Sequence, residues 1–352
     1  MGGIGPGQAV DKALGALYGL AIGDALGMPT QACPRAWIVE RFGPLLQGFE
    51  PGPPDQPLAP GRPAGSVTDD TEQAVLLAQL LLDGAGQVDP AELARRLVAW
   101  EDSMRRRGSL DLLGPSTKRA VADLTSGVPL DRVGLTGTTN GAAMRVAPVG
   151  LAVAPGPGLA DAVLAASRLT HGTSVALAGA CGVAAAVSCG VAGGTVADAV
   201  SAAVEASRTG VGLGRWVAAG DVASRIELAQ AHLPLYMRRR AEKGEDVIEK
   251  LVWVIGEAIG TSLATQESVP AAFACVVAYP DDPWLAVRLA ASLGGDTDTM
   301  AAMAGAVLGA CHGLAAWPAA AVELIDRVNG LPLRELAAGL VALREAGGEV
   351  DG

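Results

Sequence analysis

Apolar residues recur at helical spacing through nearly the whole of this 352-residue chain, and that periodicity leaves little room for anything but packed helices. It predicts helices over 10–26, 70–83, 90–106, 116–125, 159–169, 174–192, 196–207, 221–230, 243–264, 268–277, 283–293, 298–313 and 319–328. No series of alternating strands interrupts the pattern. The faces are built from small side chains: the chain is 50% hydrophobic but only 3% aromatic, with 47 glycines. Such a composition favours helices packed at close range over an aromatic-rich sandwich. Asp89 before "PAELARRL" offers an N-cap with Pro90 and Glu92 in the first turn, and "PDDPWLAVRLAASLGG" begins on acids and stops on Gly-Gly. The segment 48–65, crowded with Pro and Gly, has to be an irregular loop; it delivers the chain to an acidic motif and is placed to form the rim of a site. Residues 207–220 and 237–245 read as surface connections. With no fixed-period repeat and no sharp break in composition, the expectation is an all-α, compact single-domain helical bundle spanning 1–352.

A formal net charge of -11 argues against nucleic acid and against anionic membrane as partners, because binding by counterion release needs a basic face. Acidity suits a soluble enzyme or a cation binder. The cysteines (Cys33, Cys181, Cys189, Cys275, Cys311) are scattered without CxxC spacing. They read as reduced, buried thiols of a cytoplasmic protein rather than as a disulfide framework or zinc cluster. The N-terminal apolar run lacks a basic n-region and is interrupted by Asp24, so it is not read as a signal peptide. The Ala- and Gly-rich run 175–200 has few large apolar residues and fits a pair of core helices better than a membrane span.

Two helix starts are loaded with acid. In "SVTDDTEQAVLLAQLLLDG", Thr68, Asp69 and Asp70 precede an apolar run, and in "ASLGGDTDTMAAMAGAVLG", Asp296, Asp298 and Thr299 follow a Gly-Gly pair. Either motif alone is what ordinary capping would produce, since orphan N–H groups and the helix dipole favour Thr and Asp there. The second helix, however, is almost pure Ala, Gly, Met and Val, so its start lies near the interior, where uncompensated carboxylates are costly. If the two starts converge, each pair of carboxylates about 4 Å apart costs ~4 kcal/mol at an effective dielectric near 20, and a positive charge has to sit between them. The donors are all oxygens, a set that suits Mg²⁺ or Mn²⁺ over zinc, and four acids with two hydroxyls suffice for two ions.

Five ordered segments, "GALYGLAIGDALGMPTQ", "SVTDDTEQAVLLA", "TNGAAMRVAPVG", "LTHGTSVALAGA" and "SLGGDTDTMAAMAGAVLGA", resemble the ADP-ribosylglycohydrolase family, which includes the dinitrogenase reductase-activating glycohydrolase. The resemblance implies an all-α fold with a binuclear Mg²⁺ (or Mn²⁺) centre in a central cleft. It carries the metal-ligand role onto Thr68, Asp69, Asp70, Asp296, Asp298 and Thr299, and the catalytic role onto Asp69, Asp70, Asp296 and Asp298. It places Asn140 and Gly141 in a loop lining the ribose site, although an Asn-Gly pair is also what a plain turn uses. His171 matches a Thr-His pair near the substrate, with a packed side chain or cap as the alternative. Asp24 resembles an acid that supports the site, and Arg145 reads as a structural ion pair or an orienter of an anion. Ser116 and Thr117 of "GPSTKRA", with Lys118, offer a hydroxyl or phosphate cradle, or simply a capped helix.

One position departs from the family pattern. Where members acting on ADP-ribosylated proteins carry Glu at the end of "GDALGxPxE", this chain has Gln31, an amide that keeps hydrogen bonding but accepts no proton at neutral pH. With "LLGPSTKRAVADLTSG" at 112–127 it also resembles a bacterial subgroup for which small ribosides are the implied substrates. The expectation is therefore a cytoplasmic, two-metal hydrolase of the C1 bond of an ADP-ribosyl or related N-/O-ribosyl substrate. The alternative is a catalytically silent, crystallin-like or ADP-ribose-sensing protein.

Overall fold

The computed structural model describes residues 5–110, 113–244 and 246–348. Leu112, where the 112–127 motif begins, and Glu245, inside the expected 243–264 helix, lie outside the described residues. In chain order the helices are α1 (Pro6–Gly27), α2 (Arg35–Phe42), α3 (Asp69–Asp83), α4 (Pro90–Arg106), α5 (Pro115–Thr125), α6 (Gly141–Arg145), α7 (Ala147–Ala152), α8 (Pro157–His171) and α9 (Ser174–Val191). They continue with α10 (Val196–Val211), α11 (Val222–Glu242), α12 (Val247–Trp253), α13 (Thr265–Ala278), α14 (Pro283–Ala290), α15 (Thr297–His312), α16 (Ala319–Asn329) and α17 (Leu333–Gly348). Among the described residues the only β-pairing is isolated bridges, Cys33 with Gly295, Thr139 with Ala264 and Thr173 with Arg215. The fold is all-α, as the periodicity requires.

Three helices form the centre. α15 is buried from Thr297 to Ala310 and α9 along nearly its full length, while α1 is buried through its C-terminal half. α9 is long and apolar enough to cross a membrane, yet 94% of it is buried inside the protein, so its hydrophobicity is spent on α6, α7, α8, α10, α13 and α15, all of which pack on it. α1 and α15 pack most extensively of all, and glycines at a period of four explain how. A methyl group at Gly19 would lie 2.2 Å from the carbonyl oxygen of Gly305, and one at Gly23 would lie 2.0 Å from that of Ala301. The two backbones touch directly, a spacing any larger side chain forbids. The ladder ends at the site: a methyl at Gly27 would lie 2.3 Å from Cα of Asp298.

Some boundaries differ from the sequence reading. The expected 221–230 helix continues as α11 to Glu242, so 237–245 is largely helix; Pro234 is carried inside it, losing one backbone bond without ending it. The expected 243–264 helix is α12 followed by one turn of π-helix, Val254–Ile259, and stops at Gly260, whose φ of 95° closes the end. The segment 261–264 that follows then pairs with the site: Leu263 O accepts from Asn140 N, and Thr261 O from Asp296 N. α2, α6, α7 and α17 were not anticipated.

Candidate active site

The starts of α3 and α15 do converge, and neither acid-loaded start is used as a cap. The side chain of Thr68, at the N-cap position of α3, accepts no bond from the helix, and neither does that of Asp296 before α15. The carboxylate of Asp24, from α1, caps α3 instead. It accepts from Thr68 N at 3.0 and 2.9 Å, Thr68 Oγ1 at 2.8 Å, Thr71 N at 3.1 Å and Thr71 Oγ1. With the cap supplied from outside, the helix's own acids face a shared space. Asp24, Asp70 and Asp298 each place a carboxylate oxygen within 4.8 Å of the others, and all three are buried. Thr299 Oγ1 donates to Asp70 Oδ2 at 3.2 Å, and Thr68 Oγ1 reaches the same oxygen at 3.4 Å. Asp70 Oδ1 is buried with no hydrogen-bond partner.

A cavity of about 230 Å³ opens beside these acids. Of the residues singled out in the sequence, Gln31, Thr117, Asn140, Gly141, Asp69, Asp296, Asp298 and Thr299 line it. Thr68, Asp70, Ser116 and His171 are not among the lining residues. Lys118 and the apolar side chains of Leu58, Met144 and Leu263 also line it, so the Pro-rich 48–65 loop does reach the site. Gln56 ties that loop down: its Nε2 donates to Gln31 O at 2.8 Å while its Oε1 accepts from Leu58 N at 2.6 Å. Gly294 and Gly295, both at positive φ (91° and 78°), turn the chain into α15; a methyl on Gly295 would lie 2.2 Å from Thr261 O. Asn140 Nδ2 donates to Asp296 Oδ2 at 2.5 Å and to Ser268 Oγ at 2.9 Å, which links the Asn140–Gly141 loop to the start of α15. His171 lies under that loop: a methyl on Gly141 would come within 2.9 Å of its ring, and its Nε2 is 3.0 Å from Thr139 Oγ1.

Burial dominates the electrostatics. Asp70 is raised well above the usual carboxylate range by burial and then by Asp298, Asp69, Asp24 and Asp296. Asp296 is raised to about 6 by burial, against the opposing bond from Asn140, and burial raises Asp24 against its four donor groups. His171 is held well below the ordinary imidazole range by burial and by the charge of Arg145. A set of buried oxygens that repel one another, one of them without a partner, is what a hard divalent cation fits. Sequence reasoning left Asp24 out of the ligand set and missed Thr71, Gln56 and Gln73. Only Asp24 carried a signal, an acid within a glycine-rich apolar helix. Arg145 corrects another reading: among the described residues no carboxylate forms an ion pair with it.

The all-α core gathers buried aspartates from three helix ends beside a cavity, a donor set able to hold a cation. Residues 6–349 match the family model ADP-ribosylglycohydrolase, and the chain belongs to that family, a class of enzymes that hydrolyse glycosidic bonds. It is 36% identical over 340 residues to the uncharacterized protein YegU of Escherichia coli (strain K12), covering 95% of this chain and 98% of that one. It is 27% identical to the ADP-ribosylhydrolase ARH3 of Bos taurus, covering 89% and 88%. A solved structure described as an ADP-ribosylglycohydrolase-related protein complex superposes with a TM-score of 0.65 at 26% identity, over 96% of this chain and 99% of the other.

Proposed function

We propose that this chain, working as one domain, hydrolyses the C1 bond of an ADP-ribosyl or related N-/O-ribosyl substrate with the help of two divalent cations, Mg²⁺ or Mn²⁺. The observation that carries this reading is the buried carboxylate of Asp70, whose Oδ1 has no hydrogen-bond partner and which, with those of Asp24 and Asp298, brings one oxygen per residue within 4.8 Å of the others. Thr68, Asp69, Asp70, Asp296, Asp298 and Thr299 would hold the ions, and Asp24 joins them. When bound, such ions polarise a sugar oxygen, orient water and stabilise developing charge.

The remaining residues shape the site for a sugar. Asn140 holds Asp296 in place, and Gly141 lets the backbone approach a hydroxyl-bearing ring. Leu58, Met144 and Leu263 exclude water around the reacting bond. Gln31 is 3% exposed and its Nε2 has no partner, so it donates to a substrate oxygen and takes no proton. A cavity of about 230 Å³ suits the ribosyl ring. A longer substrate would continue past Leu58 and Leu110 into an adjoining cavity of about 330 Å³ bordered by Arg62 and Arg107.

Incubation with Mg²⁺ and ADP-ribosyl-arginine, ADP-ribosyl-serine or a panel of nucleosides, followed by chromatography, should show release of ADP-ribose or ribose from at least one. Asp298→Asn and Asp296→Asn should abolish that release and weaken Mn²⁺ binding; full activity of these variants in chelator would sink the mechanism. The amide at position 31 favours one other reading, a sensor that binds without turnover, and binding with no release from any substrate would establish it.

A further inference from the structure

Arg145 is a permanent charge for which the proposed chemistry has no use. It is 1% exposed, among the described residues it has no ion-pair partner, and its guanidinium is pushed down to about 10, first by burial. A buried arginine without a carboxylate is costly unless its donors and its field serve something nearby. Its contacts run in two directions. Nη1 donates to Gln73 Oε1 at 3.2 Å, and Gln73 Nε2 donates to Asp69 Oδ2 at 3.0 Å. Nη2 donates to Thr170 Oγ1 at 2.6 Å; Thr170 Oγ1 is 2.7 Å from His171 Nδ1, His171 Nε2 is 3.0 Å from Thr139 Oγ1, and Thr139 Oγ1 donates to Ser116 Oγ at 2.8 Å.

Guanidinium has donors and no acceptor, which fixes the first bond of each chain, and the distances decide the bonds that follow. Gln73 must turn its carbonyl to Arg145, which leaves its NH₂ for Asp69. Thr170 must use its oxygen to accept, and its proton goes to His171 Nδ1 at 2.7 Å in preference to Ser167 O at 3.4 Å. His171 is then neutral with its proton on Nε2, donating to Thr139. We propose that Arg145 is a positioning residue whose single guanidinium sets the polarity of two hydrogen-bond chains, one orienting Asp69 and the other locking His171 as the Nε2–H tautomer beneath the Asn140–Gly141 loop. Both chains reach the cavity wall, at Asp69 and at Thr139. The Asp69 arm rests on the metal-site reading; the His171 arm does not.

Each arm has its own test on the full-length protein. With ¹⁵N-labelled histidine the chain has 3 imidazoles, and the signals of His171 are assigned by their loss in His171→Gln. Two-bond ¹⁵N–¹H correlation at pH 7.5 should show His171 with Nε2 protonated and Nδ1 bare, with or without metal. Thr170→Val should convert it to a mixture of tautomers. Mn²⁺ binding followed by electron paramagnetic resonance should weaken about 10- to 100-fold in Gln73→Met, the loss expected when a ligand's support is removed, while the His171 tautomer stays unchanged. Arg145→Met should disturb both readouts, and if it does not fold, the Gln73 and Thr170 variants still read the arms separately. An Nδ1–H tautomer in the wild type, or wild-type Mn²⁺ affinity in Gln73→Met, would overturn the proposal. Failure of the wild type to bind Mn²⁺ would overturn the metal-site reading and the Asp69 arm, leaving the tautomer to decide the rest.

Discussion

Asp24 and Asp70 are both buried aspartates of one cluster, yet the chain treats them in opposite ways. Asp24 has four donor groups directed at it and closes the end of α3, whereas one oxygen of Asp70 has none. The neutral amide should therefore have opposite effects at the two positions. Asp24→Asn turns an NH₂ toward N–H and O–H donors and should destabilise the protein by about 2–3 kcal/mol, the cost of leaving buried groups unsatisfied. Asp70→Asn removes a repelling charge and lets an amide donate to Asp24 or Asp298, so in chelator it should stabilise the protein by about 1–3 kcal/mol. Urea unfolding in EDTA measures both. Loss of stability in Asp70→Asn without metal would mean that its carboxylate is already compensated. Thr68, Asp70, Asp298 and Thr299 were legible because acids at the start of an apolar helix conflict with burial. Thr71 and Gln73 were not, because a threonine or glutamine in a first turn is unremarkable until the neighbouring helix is known.

At the scale of helices, the contact of α1 with α15 sets the distance between Asp24 and Asp298. Gly15, Gly19, Gly23 and Gly27 recur every four residues and meet Gly309, Gly305, Ala301 and Asp298 in turn. Gly19→Ala would press a methyl onto the Gly305 carbonyl and the Trp317 ring, neither of which is a flexible chain end. A loss of about 2–4 kcal/mol in urea unfolding is expected, with weaker Mn²⁺ binding as the helices part. Gly7→Ala, on the same helix with nothing within 4 Å, is the control and should be neutral or slightly stabilising. Helix existence was readable from periodicity, and even the overlooked α17 has its buried Leu333, Leu336, Ala337, Leu340 and Val341 at helical spacing. The partnership of α1 with α15 was not, since the two lie at opposite ends of the chain and nothing local names a distant partner.

For the whole molecule, the consequence of enclosing these acids is a stability that depends on pH and cation together. The carboxyl of Asp296 is raised to about 6 and that of Asp70 well above its usual range, against about 3.9 in an unfolded chain. A raised carboxyl binds its proton more tightly folded than unfolded. Its contribution to stability is fully present below about pH 3.9 and is lost as pH rises through the folded value. For Asp296 that window runs from about 4 to about 6 and is worth ~3 kcal/mol. Metal-free protein should therefore be less stable at pH 8 than at pH 5.5 by an amount that Asp296→Asn reduces. Cation binding has the opposite slope, because ligands must shed protons first. Mn²⁺ affinity should fall as pH drops through about 6, and calorimetry in two buffers of different ionisation enthalpy should count more protons released per ion at pH 6 than at pH 8. Mg²⁺ or Mn²⁺ should then raise the unfolding free energy more at pH 8 than at pH 5.5. Proton release that is zero at both pH values would mean that the carboxylates are already ionised without the cation, and that burial is not what the metal relieves.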